Sequence, residues 1–337
     1  MSRTRTGPDL MPMLFGLATA QVVHVAARLR LPDLVASGTT GVAGLADATG
    51  THPGALRRLL RALACLGVLV ETEPGTFAPG PLCDALRSSV PGSLHGMALV
   101  VSGPEAWRSW GELEHSVRTG QPAWDKVVGT SHFAHLAEHP EEAEVFNTAM
   151  EQFTLAVAPG VVGAVDFTRF GTVVDVGGGN GTLLAQVLAA CPDSRGVLVD
   201  LPAGVAGSDR VFAAAGVTDR ARVHAGDFFA ELPQGADAYL LKSVLHDWDD
   251  DAAVRLLTAC RAAMAADGVV VVVEPVLPDL AAPEAAGIVM SDLNMLVNTG
   301  GRERTADDYL TLFAAAGLRQ QTRVPIGPFD VLVARAA

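Results

Sequence analysis

Cysteine is scarce and scattered: Cys65, Cys83, Cys191 and Cys260 form no C-x-x-C pair and no spacing of a disulfide framework or zinc site. That excludes a disulfide-stapled secreted scaffold and fits a reducing, cytoplasmic setting. Basic charge is also in deficit. With 24 Lys and Arg against 37 Asp and Glu, the formal charge is −13, which argues against a broad phosphate-binding surface and a nucleic-acid partner. Long apolar runs are absent near the start. Residues 1 to 9 are polar and basic, and Pro12, Gln21, His24 and Arg28 interrupt the apolar residues after them, so the sequence predicts no targeting segment and no membrane association. No internal repeat is visible.

What is present is an ordinary globular composition, 49% apolar and 18% charged, in a chain of 337 residues, enough for two domains or one large one. The two halves differ in rhythm. From residue 10 to about 160 apolar residues recur at helical spacing between Gly and Pro clusters. The clearest helix spans residues 53 to 66, with Leu56, Leu59, Leu60, Leu63 and Leu66 on one stripe and Gly67 stopping it. Short apolar runs at 68–71 and 76–78, joined by Pro74-Gly75, predict a hairpin; a helical pair followed by a hairpin reads as a winged helix.

The second half alternates short apolar runs at 173–176, 196–199, 222–224, 238–241 and 269–273 with helices near 182–190, 204–215 and 251–265. This β-α-β alternation implies a mostly parallel sheet covered on both faces by right-handed crossovers. A capped helix over 305–316 and two runs around Thr322 and Val331 predict a terminal hairpin.

In such a sheet a ligand lies beyond the carboxyl ends of the strands. The first strand runs into Asp175-Val-Gly-Gly-Gly-Asn-Gly181, where Gly177, Gly179 and Gly181 let backbone N–H groups approach a ligand. A dinucleotide fingerprint starting at Gly177 requires a glycine at 182; the residue is Thr182, which disfavours pyrophosphate. The second strand ends in Asp200, an acceptor for two ribose hydroxyls, and the third leads to Gly226-Asp227-Phe228-Phe229, a carboxylate for an adenine amino group and a ring to face it. Alone, Asp227 reads equally as a loop cap. Together the three strand ends suggest one adenosine-type ligand.

The fourth strand leads into Leu241-Lys-Ser-Val-Leu-His246-Asp-Trp-Asp-Asp-Asp251, placing His246 at the same edge as a candidate base, its ordinary pKa of ~6.5 leaving much of it neutral at pH 7. Asp249 or Asp250 is the helix N-cap. Glu274, at the end of the fifth strand, and Glu303, in Gly300-Gly-Arg-Glu-Arg-Thr305, are candidates to orient the imidazole; each reads alternatively as a surface ion-pair member. His132, His135 and His139, on one helical face, suggest a metal, but no acidic ligand accompanies them at the chemistry site, and no metal is expected.

These motifs, in order and spacing over nearly the whole chain, resemble the class I S-adenosylmethionine (SAM)-dependent O-methyltransferases of the plant caffeic-acid type and their bacterial natural-product relatives. The carriers are residues 175–181, Val199-Asp-Leu-Pro202, Gly226-Asp-Phe-Phe229, Leu245-His-Asp-Trp248 and Gly300-Gly-Arg-Glu-Arg304. The resemblance implies a winged-helix dimerisation domain over 1–95, a helical linker lining the substrate pocket over 96–160 and a Rossmann-like SAM-binding catalytic domain over 161–337. It implies a homodimer. It implies that Asp175, Gly177, Gly179, Asp200, Asp227, Phe228 and Lys242 serve SAM, and that His246 is the base with Asp247, Glu274 and Glu303 around it. Met150 and Met295 match positions lining the substrate pocket, and the implied acceptor is a hydroxyl of an aromatic or polyketide-like small molecule. One departure is Gly129-Thr-Ser-His132-Phe133, where many bacterial members have two aromatics. Three rivals stay open: a nicotinamide-dependent oxidoreductase, a winged-helix regulator with a sensor domain, and a family member whose SAM assists hydroxylation or decarboxylation instead of methyl transfer.

Overall fold

The structure is a computed structural model describing residues 7–337; the basic stretch 1–6 lies outside the described residues, and side chains are described from Leu10 onward. Two compact units divide the chain, Met1–Trp107 and Arg108–Ala337. The division falls inside the segment 96–160 read from sequence as a linker.

Among its described residues the first unit is mainly helical, with one hairpin. Its helix Pro53–Cys65 starts with proline after His52, whose ring nitrogen accepts from the Ala55 N–H, and buries Leu56, Leu60 and Leu63. Leu66, expected on the apolar stripe, is the C-cap and is exposed, because the helix ends one residue earlier. The antiparallel hairpin β1 (Leu69–Glu73) and β2 (Thr76–Pro79) comes next, as the winged-helix reading expects. Leu31, Leu45, Leu60, Leu63, Leu69 and Phe77 form its core.

The second unit carries a seven-stranded sheet. Its strands in chain order are β3 (Thr172–Val176), β4 (Arg195–Asp200), β5 (Ala221–Ala225), β6 (Ala238–Lys242) and β7 (Val269–Glu274). After the short parallel pair β8 (Val276–Leu277) and β9 (Arg304–Thr305), which lies apart from it, the sheet gains β10 (Leu318–Ile326) and β11 (Phe329–Ala336). The spatial order is β10-β11-β7-β6-β3-β4-β5, parallel except for the terminal hairpin. Period-two alternation decides which face each side chain covers. Val269, Val271 and Val273 pack with Leu184, Leu188 and Val161 on one face; Val270 and Val272 pack with Leu257, Cys260 and Phe313 on the other. Burial on both faces explains why β7 is valine up to its final glutamate, each side chain contributing roughly 1.5 kcal/mol or more.

The crossover helices are Thr182–Ala190, Ser208–Ala214 and Asp250–Ala263; the second begins four residues later than its apolar pattern suggests, after Gly207 in a left-handed conformation. The sheet is wound outward in both directions from the β3/β6 pair. That leaves a crevice at their carboxyl ends, where a topological switch point places ligands. Among the described residues no helix is long and apolar enough to cross a membrane.

Candidate active site

Two groups of residues meet at this edge. On the β3–β4–β5 side, backbone does most of the construction. Gly177, Gly179 and Gly181 all have left-handed φ (68°, 57° and 80°), which glycine adopts without a Cβ penalty. Gly178 serves differently: a Cβ there would lie 2.5 Å from the Asp175 carboxylate, so the turn closes directly over that acid. Asp175 is buried, and its Oδ2 has no hydrogen-bond partner among the described residues. Burial, helped by the Asp200 charge, pushes its pKa up to about 7. Thr182, in the place of the third fingerprint glycine, is buried and donates to Asn180 Oδ1 at 2.7 Å.

Asp200 Oδ2 accepts from the Gly179 N–H at 2.8 Å and Oδ1 from the Leu201 N–H at 2.7 Å. Each oxygen keeps a lone pair for a further donor. Burial raises its pKa, opposed by these two N–H groups. Asp227 is exposed and its Oδ1 accepts from the Phe229 N–H at 2.8 Å, which is the loop cap weighed from sequence; Oδ2 is outside that bond. Phe228 packs toward Gly177, and its ring meets Trp248 edge-on, centroids 6.1 Å apart. Carboxylates at two strand ends, an aromatic ring and a turn crowded at Gly177, Gly178 and Gly181 but open at Gly179 fit a ribose and an adenine.

On the β6–β7 side the construction is by side chains. Lys242 lies 5.3 and 5.6 Å over the rings of Phe153 and Phe329, and burial lowers its pKa to about 8 against the opposing pull of Glu274, Asp175 and Asp247. Ser243 holds a left-handed φ of 54°, uncommon for a residue with a Cβ, and turns the chain out of β6. Val244 abuts Gly177: a Cβ on that glycine would meet the Val244 side chain at 2.8 Å, so the two groups are in contact. A single helical turn, Leu245–Asp247, then presents His246.

The sequence-separated carboxylates converge on this imidazole. His246 Nδ1 lies 3.2 Å from Glu303 Oε1 and 3.4 Å from Glu274 Oε2, both glutamates fully buried. Glu274 Oε1 accepts from the Val244 and Leu245 N–H groups, each at 2.8 Å, which locks it under the turn. Neither glutamate is the surface ion-pair member that sequence also allowed. Nδ1 faces the carboxylates, so Nε2 is the free ring nitrogen, 4.0 Å from Asp247 Oδ1. Burial by itself lowers the imidazole pKa, but Glu274, Glu303 and Asp247 outweigh it and push it up to about 10. Burial pushes Asp247 up to about 7, opposed by His246.

Asp249 is the N-cap of the following helix, accepting from the Ala252 N–H at 2.8 Å. Sequence reasoning missed Arg304, the largest fully buried side chain among the described residues. It donates to the carbonyls of Leu245 and Trp248, each at 2.8 Å, and to Asp250 Oδ1 at 2.9 Å, so one guanidinium ties both ends of the His246 turn. Gly301 comes so close that a Cβ would lie 2.0 Å from the His246 carbonyl oxygen. The second arginine of Gly-Gly-Arg-Glu-Arg was the available signal. Glu151 was missed as well; its Oε2 accepts from Asn180 and Arg210.

Met295 is one turn beyond Ser291 on the helix Ala286–Asn298, and Ser291 reaches Glu303, so Met295 shares the face turned to the cluster. Met150 is one turn beyond Phe146 on Pro140–Ala164, and Phe146 packs with Phe133, which stacks on Trp248. His132 is neutral at physiological pH: burial, with His135, lowers its pKa to about 4, and its ring packs edge-on to Trp124 and Phe146. The predicted single helical face for His132, His135 and His139 is broken, because Pro140 ends the helix at Glu138. His135, His139 and Glu142 bring ligand-type atoms within 4.8 Å, yet the two rings stack nearly parallel at 3.8 Å, so their in-plane lone pairs do not point at a common centre. His135 Nε2 pairs with Glu142 instead. His246, Glu274 and Glu303 also fall within 4.8 Å, with Nδ1 turned to both acids.

A switch-point crevice with a glycine turn, a ribose-type carboxylate and a braced histidine defines an α/β enzyme that acts beside an adenosine-type cofactor. Comparison with known proteins fixes the family: the O-methyltransferase domain matches residues 110–319 and the O-methyltransferase dimerisation domain residues 11–89. The chain belongs to the O-methyltransferase family, whose methyl donor is SAM. It is 43% identical over 316 residues to the phenazine O-methyltransferase PhzM of Lysobacter antibioticus, covering 94% of this chain and 92% of that protein. It is 42% identical to the O-demethylpuromycin-O-methyltransferase of Streptomyces alboniger, covering 96% and 88%. The crystal structure of the O-methyltransferase NcsB1 from neocarzinostatin biosynthesis, in complex with SAM and 2-hydroxy-5-methyl naphthoic acid, superposes with a TM-score of 0.85 at 35% identity, over 99% of this chain and 100% of that one.

Proposed function

We propose that this protein transfers the methyl group of SAM to a hydroxyl of an aromatic, phenol- or polyketide-like small molecule of secondary metabolism, with His246 as general base. The observation that carries this reading is the imidazole at the cofactor edge, braced at Nδ1 by Glu303 and Glu274 and free at Nε2. The cofactor supplies an electrophilic methyl on a positively charged sulfur. Asp200 holds the ribose and Asp227 with Phe228 the adenine, while Asp175, Gly177 and Gly179 shape the turn and Lys242 lines the inner wall. His246 Nε2 accepts the hydroxyl proton as the oxygen attacks; Glu274 and Glu303 stabilise the resulting imidazolium, and Asp247 flanks the same nitrogen. Much of the acceleration comes from holding acceptor and donor in line, an advantage on the order of 7 to 11 kcal/mol for well-ordered pairs. Met150 and Met295 line the acceptor side, and no metal takes part.

In this reading residues 1–95 form the dimerisation domain, 96–160 line the substrate pocket and 161–337 form the catalytic domain. The active species is a homodimer. An exposed apolar ridge supports this: Leu10, Met11, Met13, Leu14, Phe15 and Leu17 are all exposed along the first two helices of the first unit and the residue joining them. The acidic charge supports a protein without nucleic-acid or membrane partners, and four free cysteines a cytoplasmic setting. Incubation with methyl-labelled SAM and a panel of aromatic hydroxyls, read by mass spectrometry, tests the reading. A labelled methyl on the acceptor oxygen is the expected product; an added oxygen or lost carboxyl without label would identify the repurposed chemistry.

A further inference from the structure

Glu303 Oε1 accepts two hydrogen bonds, from His246 Nδ1 at 3.2 Å and from the Ser291 hydroxyl at 2.8 Å. Its Oε2 is buried with no hydrogen-bond partner among the described residues. The neighbouring Asp292 Oδ1 accepts from the Glu303 backbone N–H at 2.9 Å. Ser291 and Asp292 thus grip one glutamate by side chain and main chain from a helix that carries none of the acids facing the imidazole. Those acids are Glu274 from β7, Glu303 from the loop before β9 and Asp247 from the histidine's own turn. Around them, Lys242 at the end of β6 acts on Glu274 and Asp247, the buried Tyr309 lies within electrostatic reach of both glutamates, and Arg304 within reach of Tyr309 and Asp292.

We propose that Ser291 is a positioning residue that sets the orientation and proton affinity of His246 through Glu303. The hydroxyl draws charge from the oxygen that faces Nδ1, so the imidazolium is held less tightly and the base returns more readily to its neutral form. Without the hydroxyl, Glu303 turns its full charge on Nδ1 and is free to rotate toward its unpartnered oxygen. Sequence offered no hint, since a serine inside a helix reads as surface or packing. The inference rests on His246 being the base, and its test separates the two.

Full-length Ser291→Ala and the near-isosteric Ser291→Cys remove the strong donor, and Ser291→Thr keeps it. The midpoint of His246 is followed by ring 15N NMR in the absence of substrate, with His246→Gln assigning the signal. The pH profile of methyl transfer is measured in parallel. Removal of the donor raises the NMR midpoint by about 0.5 to 1 pH unit, the scale of one net intramolecular hydrogen bond, moves the acid limb of kcat/KM the same way and lowers kcat at neutral pH by about 3- to 10-fold. Thr restores all three. A lowered kcat with an unmoved NMR midpoint is a merely structural effect and overturns the proposal. A moved midpoint with an unmoved rate profile upholds the role of Ser291 and overturns His246 as the base.

Discussion

The donor side and the base side of the crevice are built by opposite means. Around β3 and β4 the ligand-facing surface is backbone: three left-handed glycines, and N–H groups that hold Asp200 at 2.7 and 2.8 Å. Around β6 and β7 it is a buried cluster of charge, with His246, Glu274 and the adjacent pair Glu303 and Arg304 drawn from three stretches of the chain. A backbone cradle tolerates little change of shape, and the charge it holds is confined to Asp175 and Asp200, both raised in pKa by burial. A charge cluster must have every member present, because each buried ion is costly when its partner is lost.

Substitutions on the two sides should therefore fail differently. His246→Ala is expected to lower turnover by about 10²- to 10⁴-fold with SAM affinity retained by calorimetry. In the wild type the rate should climb with pH, since only the neutral imidazole accepts a proton and its raised pKa delays that form; the variant should lack this limb. Equal turnover would remove His246 from the mechanism. Next in size, Arg304→Met should cost about 3 kcal/mol of stability in denaturant titration, by stranding the carbonyls of Leu245 and Trp248, and should lower turnover by disordering the His246 turn. A change below about 0.5 kcal/mol would mean the turn holds itself.

On the donor side, Asp200→Asn should weaken SAM binding by about 10- to 100-fold, the loss of charge-assisted acceptance from two hydroxyls, and should also cost about 1 to 2 kcal/mol of stability, because the amide NH2 cannot accept from whichever of the Gly179 and Leu201 N–H groups it faces. An unchanged Kd would displace the ribose from β4. Asp227→Asn, at an exposed carboxylate already partly used as a cap, should cost about 2- to 5-fold in the same titration. If its effect matched that of Asp200, the adenine contact would carry more of the binding than solvent exposure suggests.

The contrast explains what was legible. Glycines, strand-end acids and the alternating runs of β3 to β7 are local signals, written within a few residues of where they act. Thr182 was readable for the same reason: its identity alone separates this turn from a dinucleotide fingerprint, and its bond to Asn180 reaches only two residues back. Glu274 and Glu303 were found as candidates, but their sequence neighbourhoods allowed surface ion pairs equally well. Their complete burial against one ring nitrogen is a property of packing. Leu66 and His139 were misplaced by small boundary shifts, where a helix stop one residue earlier or a following proline outweighs periodicity.

By itself the sequence determined two regions of different architecture, a parallel sheet with a nucleoside-type edge, a candidate base and the family motifs. Only the tertiary structure decided that Nδ1 is the braced nitrogen and Nε2 the free one, that Arg304 ties the catalytic turn, and that Ser291 touches Glu303. These are contacts of side chains with one another and with distant backbone, brought together by the winding of the sheet around the β3/β6 pair. Their geometry depends on the joint packing of four elements, whereas each sequence pattern records the preferences of one element at a time.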